Sequence, residues 1–142
     1  MSRVILDTNV VSETARRQPS DLVAAWFAAQ TKEHLFLTAT VLGELAFGTA
    51  KLPGGRRRSA LEAWLHELLE DQFAERVLSY DAPAALIYGE LVATARARGR
   101  EPKLSDAQIA AVAKRHDMAV ATRDVGDFEP LGVTVINPWD PG

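Results

Sequence analysis

Four acidic residues lie beside the ends of predicted strands or in the early turns of predicted helices. Asp7 directly follows the apolar run RVIL (3–6), and Asp124 lies two residues beyond the run MAVAT (118–122). Glu44 lies one turn into a predicted helix, and Asp106 lies in the first turn of another. Because ligands of open parallel sheets bind outside the carboxyl ends of the strands, we expect these four acids to converge.

A cluster of carboxylates repels itself and therefore needs a cation. Oxygen ligands without His or Cys select hard ions, so the expected cofactor is Mg²⁺ or Mn²⁺. Such ions bind phosphate oxygens and activate water, which fits phosphodiester hydrolysis. The chain has no cysteine and no phosphate-binding loop, and its three histidines lack metal-ligand spacing: His34, His66 and His116.

Three of the acids also have a purely structural alternative. Asp7 and Asp106 would serve equally well at helix N-termini, where a carboxylate accepts backbone N–H bonds and complements the helix dipole. Asp124 lies in the polar segment TRDVGDFEP (122–130), where a turn-forming role is the ordinary explanation. Taken singly, none of these three residues establishes a site.

Glu44 is harder to explain by structure alone. Its position between Val41 and Phe47 places it on an apolar face of the predicted helix (40–50). A buried, unpaired carboxylate is costly and needs a cation. The nearest basic residue on that helix is Lys51, seven positions on.

The elements that would position these acids alternate between strands and helices. Helices are predicted from Ser20, over 40–50, over Leu61–Leu69, from Asp81 to about Gly99, and from Ser105. Alternation of this kind implies an α/β fold in three layers, with a short parallel sheet of four to five strands between helices. The strand candidates are RVIL (3–6), HLFLT (34–38), RVLSY (76–80), MAVAT (118–122) and VTVIN (133–137).

Length and composition set the domain organisation. A chain of 142 residues with 47% hydrophobic residues predicts one domain over 1–142, with 137–142 as a C-terminal tail. The net charge of −3 argues against coating nucleic acid by bulk attraction. No signal sequence or long apolar run is present, so we expect no membrane contact and a cytoplasmic location.

Four segments resemble, in order and spacing, the acidic motifs of PIN-domain ribonucleases. More closely they resemble the VapC-type toxins of type II toxin–antitoxin modules, including the FitB-like branch, whose members often close with an Asn-Pro-Trp tail like INPWD (136–140). The match spans nearly the whole chain, and the four together are more specific than any one. The segments are VILDTNVVSE (4–13), TVLGELAFG (40–48), LSDAQIAAVA (104–113) and VATRDVGDFE (120–129).

The resemblance assigns roles residue by residue. Each of the four motifs contributes one catalytic, metal-binding acid, and these are Asp7, Glu44, Asp106 and Asp124. Asn9 and Thr122 become polar supports that orient carboxylates or water. The fourth acid varies in this family, and Asp127 is a nearby substitute that we rank after Asp124. The resemblance further implies a PIN-like fold, Mg²⁺-dependent endoribonuclease activity, a homodimer, and inhibition by a cognate antitoxin whose C-terminal segment wraps the toxin.

Basic and aromatic residues suggest where a partner would bind. Runs of arginine are usually solvated surface, but an acidic site binds RNA only where cations flank it. One run immediately precedes the helix of Asp106, so we predict it as the substrate-binding rim: Arg96, Arg98, Arg100 and Lys103. Trp26 and Trp64 are interpreted as core or interface residues.

Two other functions are compatible with parts of the pattern. A non-cleaving PIN-like module that binds RNA or protein would use the acids for structure alone, although the presence of all four argues against it. A phosphotransfer enzyme of the haloacid-dehalogenase type also begins with a strand and an Asp. That chemistry requires an acid two residues later, and position 9 is Asn.

Overall fold

A five-stranded parallel sheet forms the centre of the protein, which a computed structural model describes over residues 2–141. The strand order is β3-β2-β1-β4-β5, so β1 lies in the middle between β2 and β4. The predicted α/β class and parallel sheet are confirmed. Met1 and Gly142, the ends of the predicted domain and tail, lie outside the described residues. The strands are β1 (Val4–Leu6), β2 (Leu35–Thr38), β3 (Val77–Leu78), β4 (Ala119–Ala121) and β5 (Val135–Ile136).

Seven α-helices connect these strands within residues 2–141. Two 3-10 turns, Lys32–His34 and Glu129–Leu131, and a π-helical turn, Leu68–Gln72, complete the connections. None of the helices in this part of the chain is long and apolar enough to cross a membrane. The helices are α1 (Thr8–Thr14), α2 (Asp21–Ala28), α3 (Ala39–Ala50), α4 (Arg56–Glu67), α5 (Ala82–Ala97), α6 (Leu104–His116) and α7 (Val125–Phe128).

The central strands are buried on both faces. Successive residues of a strand point to opposite sides of the sheet. In β1, Val4, Ile5 and Leu6 are 2%, 0% and 1% exposed, and every residue of β4 is buried as well. A parallel strand buried in this way must be covered by helices on each side. The predicted three-layer arrangement is therefore confirmed.

Side-chain caps explain where three of the helices begin. Ser20 and Asp81 accept hydrogen bonds from Val23 N and Ala84 N, at 3.5 and 3.0 Å, as predicted for the starts of α2 and α5. The buried hydroxyl of Thr38 accepts from the backbone N–H of residue 41 at 3.1 Å, so α3 begins at the end of β2.

Two predicted helix boundaries are wrong. Ser105 does not open α6, which begins at Leu104 with Lys103 at its N-cap, so the serine already has helical backbone and cannot cap. The helix predicted over Leu61–Leu69 also ends early, because α4 ends at Glu67 and continues as a π-helical turn. That wider turn changes the helical period. Leu68 is consequently 1% exposed, whereas Leu69 is 43% exposed.

Candidate active site

The site begins where the two central strands end side by side. Leu6 and Ala121 are paired in the sheet, and the backbone N–H of Asp7 donates to the Ala121 carbonyl at 2.9 Å. Thr122, the residue that follows β4, donates its hydroxyl proton to Asp7 Oδ2 at 2.7 Å. Asp7 is 5% exposed and Thr122 is 0% exposed. The sheet register therefore brings the carboxylate and the hydroxyl together.

Asp7 also occupies the N-cap of α1. Its Oδ1 accepts the backbone N–H of Thr8 at 2.8 Å. Burial raises the pKa of Asp7, the two hydrogen bonds from Thr122 and Thr8 oppose that shift, and the negative charges of Glu44 and Asp124 add to it. Each carboxylate oxygen accepts one hydrogen bond and so keeps a second lone pair for another ligand. Capping and ion binding are thus compatible at this residue.

Glu44 on α3 is connected to the same strand end through a hydroxyl. Thr8 Oγ1 donates to Glu44 Oε1 at 2.6 Å. The predicted apolar face around Glu44 is only partly correct, because Phe47 is 67% exposed and Glu44 is half-buried. Lys51 does not pair with this acid, since its ammonium lies 5.6 Å from the centre of the Phe47 ring. A hydroxyl, rather than a lysine, is the partner of Glu44.

Asn9 and Thr122 connect Asp124 to the site. Asn9 Nδ2 donates to Asp124 Oδ2 at 3.1 Å, and Asn9 Oδ1 accepts the backbone N–H of Arg123 at 3.3 Å. The backbone N–H of Asp124 donates to Thr122 Oγ1 at 3.0 Å. The Thr122 hydroxyl therefore bridges Asp7 and Asp124, the arrangement expected of a residue that orients carboxylates.

Asp106 approaches the cluster from the first turn of α6. Its pKa is raised to about 6 by burial first, then by the charges of Asp7 and Asp127, with Lys103 opposing and Glu44 adding to the shift. Among residues 2–141 its carboxylate accepts no hydrogen bond, so the helix-capping alternative gains no support for this residue. The negative charges of three other acids therefore act on this one half-buried carboxylate.

Asp127 lies on the Asp106 side of the site, and Asp124 lies on the Asp7 side. A cavity of about 220 Å³ joins Asp106 and Asp127 to Arg100 and Lys103. Asp124 contributes to the raised pKa of Asp7 but is not among the causes of the shift at Asp106. The structure thus brings both candidates for the fourth acid to the cluster, from different directions.

The predicted basic rim divides into two parts. Arg100 and Lys103 line the cavity beside the acids. Arg96 instead forms an ion pair with Glu101, with Nε and Oε2 2.7 Å apart, and Arg98 is exposed and does not line that cavity. Half of the predicted rim therefore faces the site.

A larger groove on the other side of the site was not anticipated from the sequence. Its volume is about 860 Å³, and Thr8 and Glu44 form part of its wall. The remaining wall includes Trp64 and three arginines, Arg16, Arg17 and Arg57. A basic groove that reaches Glu44 could hold a charged partner. The SETARR segment (12–17) carried that signal in its paired arginines.

Glu13 is a buried acid that the sequence interpretation did not single out. It is 4% exposed, accepts the backbone N–H of Ser20 at 2.8 Å and pairs with Arg16 at 3.2 Å. The Ser20 hydrogen bond is the main cause that lowers its pKa, and Arg16 adds to the effect. Glu13 therefore fastens the end of α1 to the start of α2, a structural role.

The chemistry of the donor atoms suits a hard divalent cation. Within the described chain, no group of three or more His, Asp or Glu side chains is arranged to hold a metal ion. The acids nevertheless share one edge of the sheet, and the charges of Asp7, Asp127 and Glu44 add to the effect of burial in raising the pKa of Asp106. Carboxylate oxygens without nitrogen or sulfur match the ligand preference of Mg²⁺ and Mn²⁺.

A parallel sheet with acidic side chains gathered at the ends of its central strands defines the class: an α/β protein with a carboxylate pocket at the sheet's carboxyl edge. The family model described as PIN domain matches residues 4–130. The chain belongs to the PIN domain family.

Full-length relatives agree with this assignment. The chain is 41% identical to the VapC ribonuclease Y4jK of Sinorhizobium fredii, over 97% of this chain and 99% of the relative. It is 40% identical to the toxin FitB of Neisseria gonorrhoeae, over 96% of this chain and 98% of the relative. Among solved structures, FitAcB from Neisseria gonorrhoeae superposes with a TM-score of 0.90 at 40% identity, covering 96% and 98% of the two chains.

Proposed function

We propose that this protein is a Mg²⁺-dependent endoribonuclease that acts as the toxin of a toxin–antitoxin system. The metal-binding, catalytic acids of the proposal are Asp7, Glu44, Asp106 and Asp124. The observation that carries it is geometric: hydrogen bonds from Thr122, Thr8 and Asn9 hold the carboxylates of Asp7, Glu44 and Asp124 at one edge of the sheet. Asp106 lies close enough for the charges of Asp7 and Glu44 to add to the rise of its pKa. Folding brings these charges together against their repulsion, so a cation is the natural counterpart of the site.

The chain's own residues hold and orient the reacting groups in this proposal. Thr122 and Asn9 fix the carboxylates of Asp7 and Asp124 through hydrogen bonds of 2.7 and 3.1 Å. Lys103 and Arg100, which line the cavity beside Asp106, offer cationic contacts for RNA phosphates. A bound Mg²⁺ or Mn²⁺ would supply charge for the phosphodiester and activate a water for attack.

The choice of RNA, and of a protein inhibitor, draws on the relatives. One full-length relative is named a ribonuclease and another a toxin. We therefore propose RNA as the substrate and a cognate antitoxin as the inhibitor of this chain, which acts as a homodimer. A carboxylate site needs flanking cations to accept RNA, and the basic groove beside Glu44 meets that need.

The test is RNA cleavage by purified, partner-free protein with Mg²⁺ or Mn²⁺. We expect cleavage by the parent, none with EDTA, and a loss of about 100-fold or more in Asp7→Asn, because a general-acid–base or metal-site carboxylate contributes at least that much. Asp71→Asn is the matched control, since Asp71 is an exposed acid in the π-helical turn after α4. Cleavage by the control variant should equal that of the parent.

Two outcomes would contradict the proposal. Cleavage that survives both EDTA and Asp7→Asn would exclude the acid site as the catalyst. Absence of cleavage in every sample, with RNA still bound, would favour the alternative of a non-cleaving PIN-like binding module. One observation favours that alternative: no three acids within residues 2–141 are already arranged around an ion position.

A further inference from the structure

We propose that Arg123, held in place by the indole ring of Trp139, binds a phosphate of the RNA at the acid site. This inference rests on the proposed ribonuclease function and adds a substrate-binding residue to it. Arg123 lies between Thr122 and Asp124 in the chain, directly after the end of β4. It was not part of the predicted basic rim, which precedes α6.

The backbone of Arg123 is fixed to the site by hydrogen bonds. Its backbone N–H donates to Asn9 Oδ1 at 3.3 Å. The Nδ2 of the Asn9 side chain donates in turn to Asp124 Oδ2 at 3.1 Å. The preceding residue, Thr122, is fully buried and contacts Asp7. The Cα of Arg123 is therefore held between Asp124 and Thr122, the residue that contacts Asp7.

The side chain is oriented by the aromatic residue of the C-terminal segment. The guanidinium carbon of Arg123 lies 4.6 Å from the centre of the Trp139 ring. Trp139 is half-buried against the hydrophobic core. Its backbone N–H donates to Asn137 Oδ1 at 3.0 Å. The predicted tail is thus a packed support for an arginine at the site.

Stacking leaves the hydrogen-bonding edge of a guanidinium available. An arginine that stacks on a ring through its flat face still presents planar N–H groups suited to bidentate phosphate contact. In the part of the chain that the structure describes, the Arg123 guanidinium donates no hydrogen bond and forms no ion pair. Its orientation is therefore fixed by Trp139 without using its donors.

A purely structural stack is the alternative, and the chain contains an example. Arg3 lies 6.0 Å from the centre of the Phe36 ring, at the amino end of β1 and far from the acids. Its Nη2 donates to the His116 carbonyl at 2.8 Å, so its donors hold two elements together. Arg123 differs in both position and hydrogen bonding.

Arg123 also adds a positive charge to those that flank the acids. Lys103 and Arg100 lie on the Asp106 side. Arg123 acts electrostatically on Glu13 of α1, which places its charge on the α1 side, toward the groove that Arg16 lines. An RNA strand that crosses the acids would therefore meet Arg123 as well as the cations of the two flanking cavities.

The experiment measures binding of a fluorescein-labelled single-stranded RNA by anisotropy, in the non-cleaving Asp7→Asn background and over a range of salt. We expect Arg123→Gln to weaken binding about tenfold, as for loss of a charge-assisted hydrogen bond. The loss should be similar for RNAs of different sequence, and the salt slope should fall by about one. Arg3→Gln removes the same charge at the opposite edge of the sheet and is the matched control.

Variants at the ring separate orientation from folding. Trp139→Phe keeps an aromatic face and should retain RNA affinity, whereas Trp139→Leu should weaken it. Arg123→Lys keeps the charge but not the planar group, so its RNA affinity should lie between those of the parent and Arg123→Gln. Melting temperatures identify any variant that lowers affinity by unfolding.

The outcomes distinguish this inference from the proposed function. Equal affinities and salt slopes for Arg123→Gln and Arg3→Gln, in a protein that binds and cleaves RNA, would overturn the role of Arg123 alone. A parent protein that neither binds nor cleaves RNA would overturn the proposed function, and this inference with it.

Discussion

The Thr122 hydroxyl shows how a single uncharged side chain organises a cluster of acids. It donates to Asp7 at 2.7 Å and accepts from the backbone N–H of Asp124 at 3.0 Å, at a fully buried position. A buried carboxylate is tolerated only when hydrogen bonds replace water. The sequence predicted that Asp7 and Asp124 lie at the same edge of a parallel sheet, and the family resemblance made Thr122 a polar support. The structure adds that Asp7 is the partner of the Thr122 hydroxyl.

Other contacts at the residue scale could not be predicted from the sequence. The Thr8 to Glu44 hydrogen bond and the Arg123 to Trp139 stack join residues whose distance depends on side-chain directions. Spacing along the chain carries no information about such directions across two elements. The sequence showed only that the nearest basic residue on the helix of Glu44 is Lys51, seven positions on. In the structure the Thr8 hydroxyl donates to Glu44 instead.

The raised pKa of Asp106 predicts how pH affects the metal-free protein. Its pKa rises from 3.8 to about 6 on folding, so the folded state binds this proton more tightly than the unfolded state. The free energy of unfolding should therefore decrease as pH rises from about 4 to about 6. Asp106→Asn removes the titrating group, so its stability should fall less over that range and should exceed that of the parent at pH 7.

Thermal melts in EDTA across this pH range provide the measurement. Asp71→Asn should follow the parent curve, because Asp71 is exposed and lies outside the cluster. Added Mg²⁺ should raise the melting temperature of the parent more than that of Asp106→Asn, since an ion that binds only the folded state stabilises it. Parallel pH curves for parent and Asp106→Asn would contradict the prediction.

At the scale of elements, local signals in the sequence were enough to locate every strand and the starts of α2 and α5. Strands rich in β-branched residues, and capping residues such as Ser20 and Asp81, act through their immediate neighbours. The π-helical turn after α4 was missed, because an added residue per turn leaves no distinct sequence pattern. The prediction for this helix failed at the turn where the regular α-helical period ends.

The alanines of α6 let this helix approach the rest of the core closely. The fully buried residues of α6 are mostly small, and the helix contacts α3, α5, α7 and β4. Ala110 is 0% exposed and lies one turn beyond Asp106 on the same face. Any displacement at this position is therefore transmitted to the acid.

Ala110→Leu should destabilise the protein by about 1–3 kcal/mol, because extra methylenes in a filled core force backbone shifts. It should also lower RNA cleavage by moving Asp106. Urea unfolding and the cleavage rate in Mg²⁺ are the measurements. Ala93→Leu on the exposed side of α5 is the matched control and should change neither. Unchanged stability in Ala110→Leu would mean that α6 has room that the structure does not show.

At the scale of the whole molecule, the homodimer remains a prediction from the family resemblance. The single chain leaves large apolar side chains at its surface, with Leu86 77% exposed and Leu104 61% exposed. Such side chains suit a protein interface. Leu86 lies in the second turn of α5. We therefore place the expected dimer contact on that helix.

Light scattering after size-exclusion chromatography should give a mass about twice that of the chain, and Leu86→Glu should reduce it to the monomer mass by burying a charge at the contact. Leu22→Glu, on α2 and 43% exposed, is the matched control and should leave the mass unchanged. A monomeric parent would contradict the homodimer, and a dimeric Leu86→Glu would exclude α5 as its interface.

The position of β1 in the middle of the sheet also has a consequence during synthesis of the protein. Asp7 is made early, yet its partner Thr122 follows 115 residues later, and β4 must pair with β1 before the two meet. A growing chain on the ribosome therefore carries Asp7 and Glu44 without a site. The acidic pocket can assemble only after the segment with β4 and Thr122 has been made and has paired with β1.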